Sequence, residues 1–125
     1  QPYELRVEIT SGGKDYVALY KTFKLEDETN KYRIRLGAVT SSIDDGKYAG
    51  LSYSNNQAFS TVDRDNDRWS GGHCAESNQC GWWFKACEYS KLTSPWENGE
   101  IYHAWANGTK WMSATRTEMK IRTLQ

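Results

Sequence analysis

Asp63 to Cys87, DRDNDRWSGGHCAESNQCGWWFKAC, gathers three alternating aspartates, a pair of glycines, all three cysteines and a tryptophan pair into one fifth of the chain. Asp63, Asp65 and Asp67 repel one another in a folded loop unless a cation neutralises them or water solvates them fully. Calcium suits such a loop, because it takes about six to eight oxygens from carboxylates, backbone carbonyls and water. The following Trp69-Ser70-Gly71-Gly72 is flexible enough to turn carbonyls inward. An EF-hand does not fit: counted from Asp63, the sixth position is Arg68 where that loop needs glycine, and the twelfth is Cys74 where it needs glutamate. The alternative is a solvated acidic turn, since Asp and Asn are common in turns for conformational reasons alone.

Beyond the acidic loop the chain continues C-A, then G-W-W-aromatic-x-x-C, from Cys74 to Cys87. Phe59-Ser60-Thr61 leads into the loop, Tyr3-Glu4-Leu5-Arg6-Val7 opens the chain, and Thr117-Glu118-Met119-Lys120-Ile121-Arg122 lies near its end. In this order the motifs resemble the carboxy-terminal part of the fibrinogen-related domain of ficolins, tachylectins, angiopoietins and tenascins, and the resemblance spans almost the whole chain. It implies a disulfide between Cys74 and Cys87, which leaves Cys80 as a free or intermolecular thiol. For the metal it implies Ca2+ ligands at Asp65 and Asp67 with the carbonyls of Trp69 and Gly71, and Asp63 beside them. It further implies that the peptide before the first cysteine, His73–Cys74, is often cis. The family module normally begins roughly a hundred residues earlier, so a homo-oligomer or a partner chain is expected to cover the sheet in place of that amino-terminal half.

Composition sets the outer bounds. A chain of 125 residues makes one domain with a modest core. Sixteen Lys plus Arg balance sixteen Asp plus Glu, so no overall field favours nucleic acid or an anionic membrane surface. No apolar run approaches the ~18 residues of a membrane span and the amino terminus lacks the basic and apolar regions of a signal peptide, so the chain reads as soluble and mature; the family resemblance implies a secreted, extracellular setting. Three cysteines is an odd count for a secreted chain, and zinc binding by all three with His73 or His103 lacks the tight C-x-x-C spacing of structural zinc sites. Asn107-Gly108-Thr109 is a glycosylation sequon.

Strand signals bracket the acidic loop. Tyr3 to Thr10 alternates Leu5, Val7 and Ile9 against Glu4, Arg6 and Glu8, the pattern of a half-buried strand. Ser11 to Asp15 reads as a hairpin turn, Tyr16 to Leu25 as a second strand and Tyr32 to Leu36 as a third, in an antiparallel meander. Residues 37–56 read as loop, with at most short strands at Leu51 and Tyr53, and Lys91 to Glu100 as a surface loop. Arg116 to Arg122 alternates again as a closing strand. With no long helical period, the fold class is α+β, dominated by an antiparallel sheet and carrying a large loop-rich calcium subdomain. Residues 1–62 form its central-sheet part, 63–113 the ion and ligand loops, and 114–125 the closing strand.

The family's lectin members bind acetylated sugars in a pocket beside the calcium. Carried over, that pocket involves His73, Cys74 and Glu88, with Tyr89, Trp96, Tyr102 or Trp105 as substitutes for missing wall tyrosines. Core or surface packing is the bland reading of each aromatic. No GxSxG, HExxH or phosphate-cradling glycine loop is present, so no enzyme is expected. Two functions follow from the resemblance: a calcium-stabilised lectin for N-acetyl sugars or related glycans in innate recognition or adhesion, or a non-catalytic protein-binding module of the same fold.

Overall fold

The computed structural model describes residues 2–124. Its strands, in chain order, are β1 (Tyr3–Ser11), β2 (Lys14–Leu25), β3 (Ile34–Leu36), β4 (Val39–Ser41), β5 (Trp96–Glu97), β6 (Glu100–Asn107), β7 (Lys110–Ala114) and β8 (Arg116–Thr123), and one short helix, α1, spans Cys74–Asn78. The larger sheet runs β3-β2-β1-β8, with β4 also pairing β2, and every pairing is antiparallel. Gly12 and Gly13 turn β1 into β2 with φ of +59° and +76°, the left-handed pair that a two-residue hairpin of matching twist requires. The smaller sheet is the meander β5-β6-β7.

Alternation in β1 resolves into two faces. Leu5, Val7 and Ile9 are buried with Ala18, Tyr20 and Ile34. On the opposite face Glu8 accepts hydrogen bonds from Arg116, Arg6 and Lys120, which hold its carboxyl down at about 2. These ion pairs are solvent-exposed and so contribute little to stability. At one end of the inner face the core stops short, and Tyr3, Phe23, Leu36 and Ile121 line an open cleft of about 840 Å³.

Two stretches depart from the strand reading. The third strand starts at Ile34 instead of Tyr32, because Lys31 and Tyr32 both take left-handed φ, 56° and 54°, on leaving a 3-10 turn over Glu28–Asn30 capped by Asp27. Residues 37–56 contain the real strand β4, whereas Leu51–Ser54 is a 3-10 turn and not a strand. The loop expected over Lys91 to Glu100 holds β5 and the start of β6, joined through Asn98 and Gly99 with positive φ.

The middle of the chain is held mostly by aromatic packing and backbone hydrogen bonds. Trp82 is fully buried and exchanges both backbone hydrogen bonds with Ser60, at 2.9 and 3.1 Å. Its neighbour Trp83 meets it edge-on at 5.0 Å, meets Phe59 at 5.3 Å, and donates its indole N–H to the Tyr32 carbonyl. Trp105, also fully buried, donates to the Ile43 carbonyl at 2.8 Å. It lies so close under Gly50 that a Cβ there would stand 2.0 Å from its ring. Trp105 is therefore core, which removes it from the candidate ligand wall. None of the described helices is long and apolar enough to cross a membrane.

Candidate ion site and recognition surface

The acidic loop is shaped by its own side chains. Ser60 Oγ accepts from the Asn66 N–H, and the Asn66 amide donates to the Phe59 carbonyl, which fixes the loop's base. Asp67 then ties the loop to the helix that follows. Its Oδ1 accepts from the Trp69 N–H and its Oδ2 from the Cys74 N–H, both at 2.8 Å. Asp65 makes only a long contact, 3.3 Å, with the Asp67 N–H. Ligating atoms of Asp65, Asp67 and His73 lie within 4.8 Å of one another, the spacing of a shared ion. Asp63 is not in that group: its carboxylate turns to the Thr61 hydroxyl at 2.6 Å, which holds its pKa below the usual carboxylate value.

Gly71 and Gly72 lie under the Trp69 indole, where a Cβ on Gly72 would come within 2.4 Å of the ring. The Trp69 carbonyl accepts one weak bond, from Gly72 at 3.4 Å, so an oxygen lone pair remains there for an ion. His73 caps α1 by accepting the Glu76 N–H on Nδ1. The His73–Cys74 peptide is the expected cis position, but the cis non-proline bond among the described residues is Ala86–Cys87. Beside that bond the Lys85 N–H donates to the Cys87 carbonyl at 2.7 Å.

Cys74 and Cys87 are joined as a disulfide, with Cα atoms 5.6 Å apart. Cys80 is a free thiol buried against the Ser94 hydroxyl at 3.7 Å, and burial pushes its pKa up. Cys80 is thus the free thiol of the described residues, buried at 7% exposure.

Of the residues assigned to a sugar pocket, the structure brings few together. Glu88 is half-buried and accepts from the Asn78 amide at 3.1 Å, while Lys91 donates to the other end of that amide. Burial raises the Glu88 pKa, with Lys91 opposing the rise. Trp96 stands 54% exposed on β5, away from any ring contact among the described residues. Tyr89 and Tyr102 instead belong to a ridge that sequence reasoning missed. Tyr53 meets Tyr89 edge-on at 4.6 Å, Tyr89 stacks on Trp111 at 6.4 Å, Trp111 lies 5.5 Å from His103, and His103 stacks on Tyr102 at 4.0 Å. Lys85 sits over Tyr53 at 5.2 Å and Lys91 over Trp111 at 5.9 Å.

A break in the β6–β7 register between Ile101 and Trp105 allows this arrangement. His103 takes φ +53° there, a conformation rare outside glycine and Asn, and the bulge turns the ring onto its neighbours. Tyr102 is left 60% exposed at the end of the ridge. An aromatic row with lysines over one end and over its middle presents ring types that are enriched at protein-binding surfaces.

A two-sheet, loop-rich fold with an acidic loop beside a disulfide defines the class. The chain matches the family model described as fibrinogen beta and gamma chains, C-terminal globular domain, over residues 1–124, and it belongs to that family. Among solved structures, the fibrinogen-like globe domain of human ANGPTL6 aligns with a TM-score of 0.83 at 36% identity, covering 99% of this chain and 58% of that one. A lamprey fibrin D-dimer, complexed with the peptide Gly-His-Arg-Pro-amide, aligns with a TM-score of 0.79 at 27% identity over all of this chain and 48% of that one. Angiopoietin-related protein 6 of Mus musculus is 41% identical over 101 residues, 80% of this chain. The chain spans about a fifth of the length of that relative.

Proposed function

We propose that this chain is a non-catalytic, extracellular protein-recognition module that reads a polypeptide segment along the ridge from Tyr53 to Tyr102. The observation that carries the reading is the ridge itself, five rings in continuous contact flanked by Lys85 and Lys91. Rings packed against one another lose little further freedom when a ligand is laid across them, and the lysines attract a segment carrying carboxylates. A solved relative complexed with a tetrapeptide amide supports peptide as the ligand class, and the angiopoietin-related and fibrin relatives favour protein over sugar. The disulfide supports an oxidising, extracellular setting.

Calcium belongs to the same proposal. The carboxylates of Asp65 and Asp67 lie close enough to share an ion, and the carbonyls of Trp69 and Gly71 in the same loop would complete an oxygen donor set of the kind calcium takes. Bound there, the ion would neutralise the two carboxylates and stiffen the loop that precedes α1.

Peptide-display selection on the calcium-loaded domain, run beside N-acetylglucosamine resin with and without EDTA, tests the reading. Selected peptides should lose at least tenfold in affinity for Tyr102→Ala, the 60% exposed ring at the end of the ridge, while that variant keeps its unfolding midpoint. EDTA-reversible retention on the sugar resin with no peptide selected would instead establish the lectin function.

A further inference from the structure

The sequon at the β6–β7 hairpin is not used by the recognition ridge. Asn107 is the last residue of β6 and pairs with Lys110, the first of β7, so Gly108 and Thr109 form a two-residue turn. Gly108 has φ +66° and Thr109 is not among the positive-φ residues, the pattern of a II′ hairpin with glycine first. All four residues, Asn107 to Lys110, are exposed, and a Cβ built on Gly108 meets nothing within 4 Å. Among the described residues the Asn107 amide makes one contact, a 3.5 Å approach to the Ser42 carbonyl at the limit of a hydrogen bond.

We propose that Asn107 carries an N-linked glycan, transferred from a lipid-pyrophosphate-linked oligosaccharide. In the transfer, Nδ2 forms a bond to the anomeric carbon of the first sugar, that carbon's bond to the pyrophosphate oxygen breaks, and Nδ2 gives up one proton. The product keeps one N–H on Nδ2, so the contact to Ser42 survives modification. Asn-Gly-Thr meets the acceptor rule, with a residue other than proline in the middle and a hydroxyl two positions on. Asn107-Gly108-Thr109 is also the sole Asn-X-Ser/Thr triplet in the chain.

The site's place matters for the ridge. Trp111 follows Lys110 and pairs with Ala106, so strand alternation turns Asn107 and its partner Lys110 to the face opposite Trp111. A glycan at Asn107 therefore leaves the ridge face open.

The test is secretion of the chain from eukaryotic cells, with intact mass and peptide mapping before and after peptide-N-glycosidase. The expected result is a heterogeneous mass that collapses to one value on digestion, with Asn107 converted to Asp. Asn107→Gln and Thr109→Ala should both remove the modification, and Thr109→Ser should retain it. Secreted protein with unmodified Asn107, shown folded by its single buried thiol and normal circular dichroism, overturns the proposal. Because the readout is a mass, failure here leaves the peptide-binding reading to its own assay.

Discussion

Asp67 and Asp65 are both proposed ligands of the ion, yet they should differ sharply when no ion is present. Asp67 accepts two backbone N–H bonds at 2.8 Å, from Trp69 and Cys74, and thereby joins the loop to α1. Hydrogen bonds to a charged acceptor are worth about 1.5–3 kcal/mol each, reduced where water can replace the acceptor. Asp67→Ala should therefore cost about 2–4 kcal/mol in EDTA. Asp65→Ala loses one long contact of 3.3 Å and should cost about 0.5 kcal/mol or less. Calcium then adds a separate increment. With an affinity in the ~0.1–1 mM range typical of extracellular modules, ~10 mM calcium stabilises the wild type by about 1.4–2.7 kcal/mol. Both variants should lose that increment. Urea unfolding of the three proteins, each in EDTA and in calcium, measures all the differences in one series. Equal losses for the two variants in EDTA would refute the hydrogen-bond argument, and a wild type indifferent to calcium would refute the ion assignment.

Three other substitutions or treatments probe the scaffold. Gly50→Ala places a Cβ 2.0 Å from the Trp105 ring at a φ of +50°, and overpacking plus left-handed strain should cost about 2–5 kcal/mol in chemical unfolding. Burial holds the folded Glu88 carboxyl above its ordinary 4.5, so the folded state binds that proton more tightly than the unfolded chain. Its contribution is full below pH 4.5 and falls as pH rises through the folded value; Glu88→Gln should flatten that slope and raise the neutral-pH melting temperature. Cys80, buried and with its pKa raised, should resist a thiol reagent in the native protein and react as a single thiol on denaturation; prompt native labelling would contradict its placement.

How much of this was legible in the sequence follows from the range of each signal. Period-two alternation in Leu5, Val7 and Ile9 is local, and it located β1 and its buried face directly. The closing strand was equally plain, because Thr117, Met119 and Ile121 repeat the pattern and pair with Ile9, Val7 and Leu5. The disulfide came from family resemblance, since three cysteines permit three pairings. The ridge was not legible: Tyr53, Tyr89 and Trp111 come from three distant segments, and only the folded chain sets them side by side. His103 joins them through a bulge that leaves no compositional mark. Trp105 misled for another reason, because it sits in a run of three buried residues, Ala104 to Ala106, that breaks the in-and-out alternation of a half-buried strand.

Trp105 lies beneath the whole arrangement, bonded to the loop at Ile43, wedged under Gly50 and bridged to Ser90. The surface above it is thus anchored to an interior that cannot flex cheaply. A partner meets a finished relief instead of a loop that moulds itself around what arrives. New specificities in such a module would have to come from exchanging single rings at the surface, one at a time, while the indole below stays fixed.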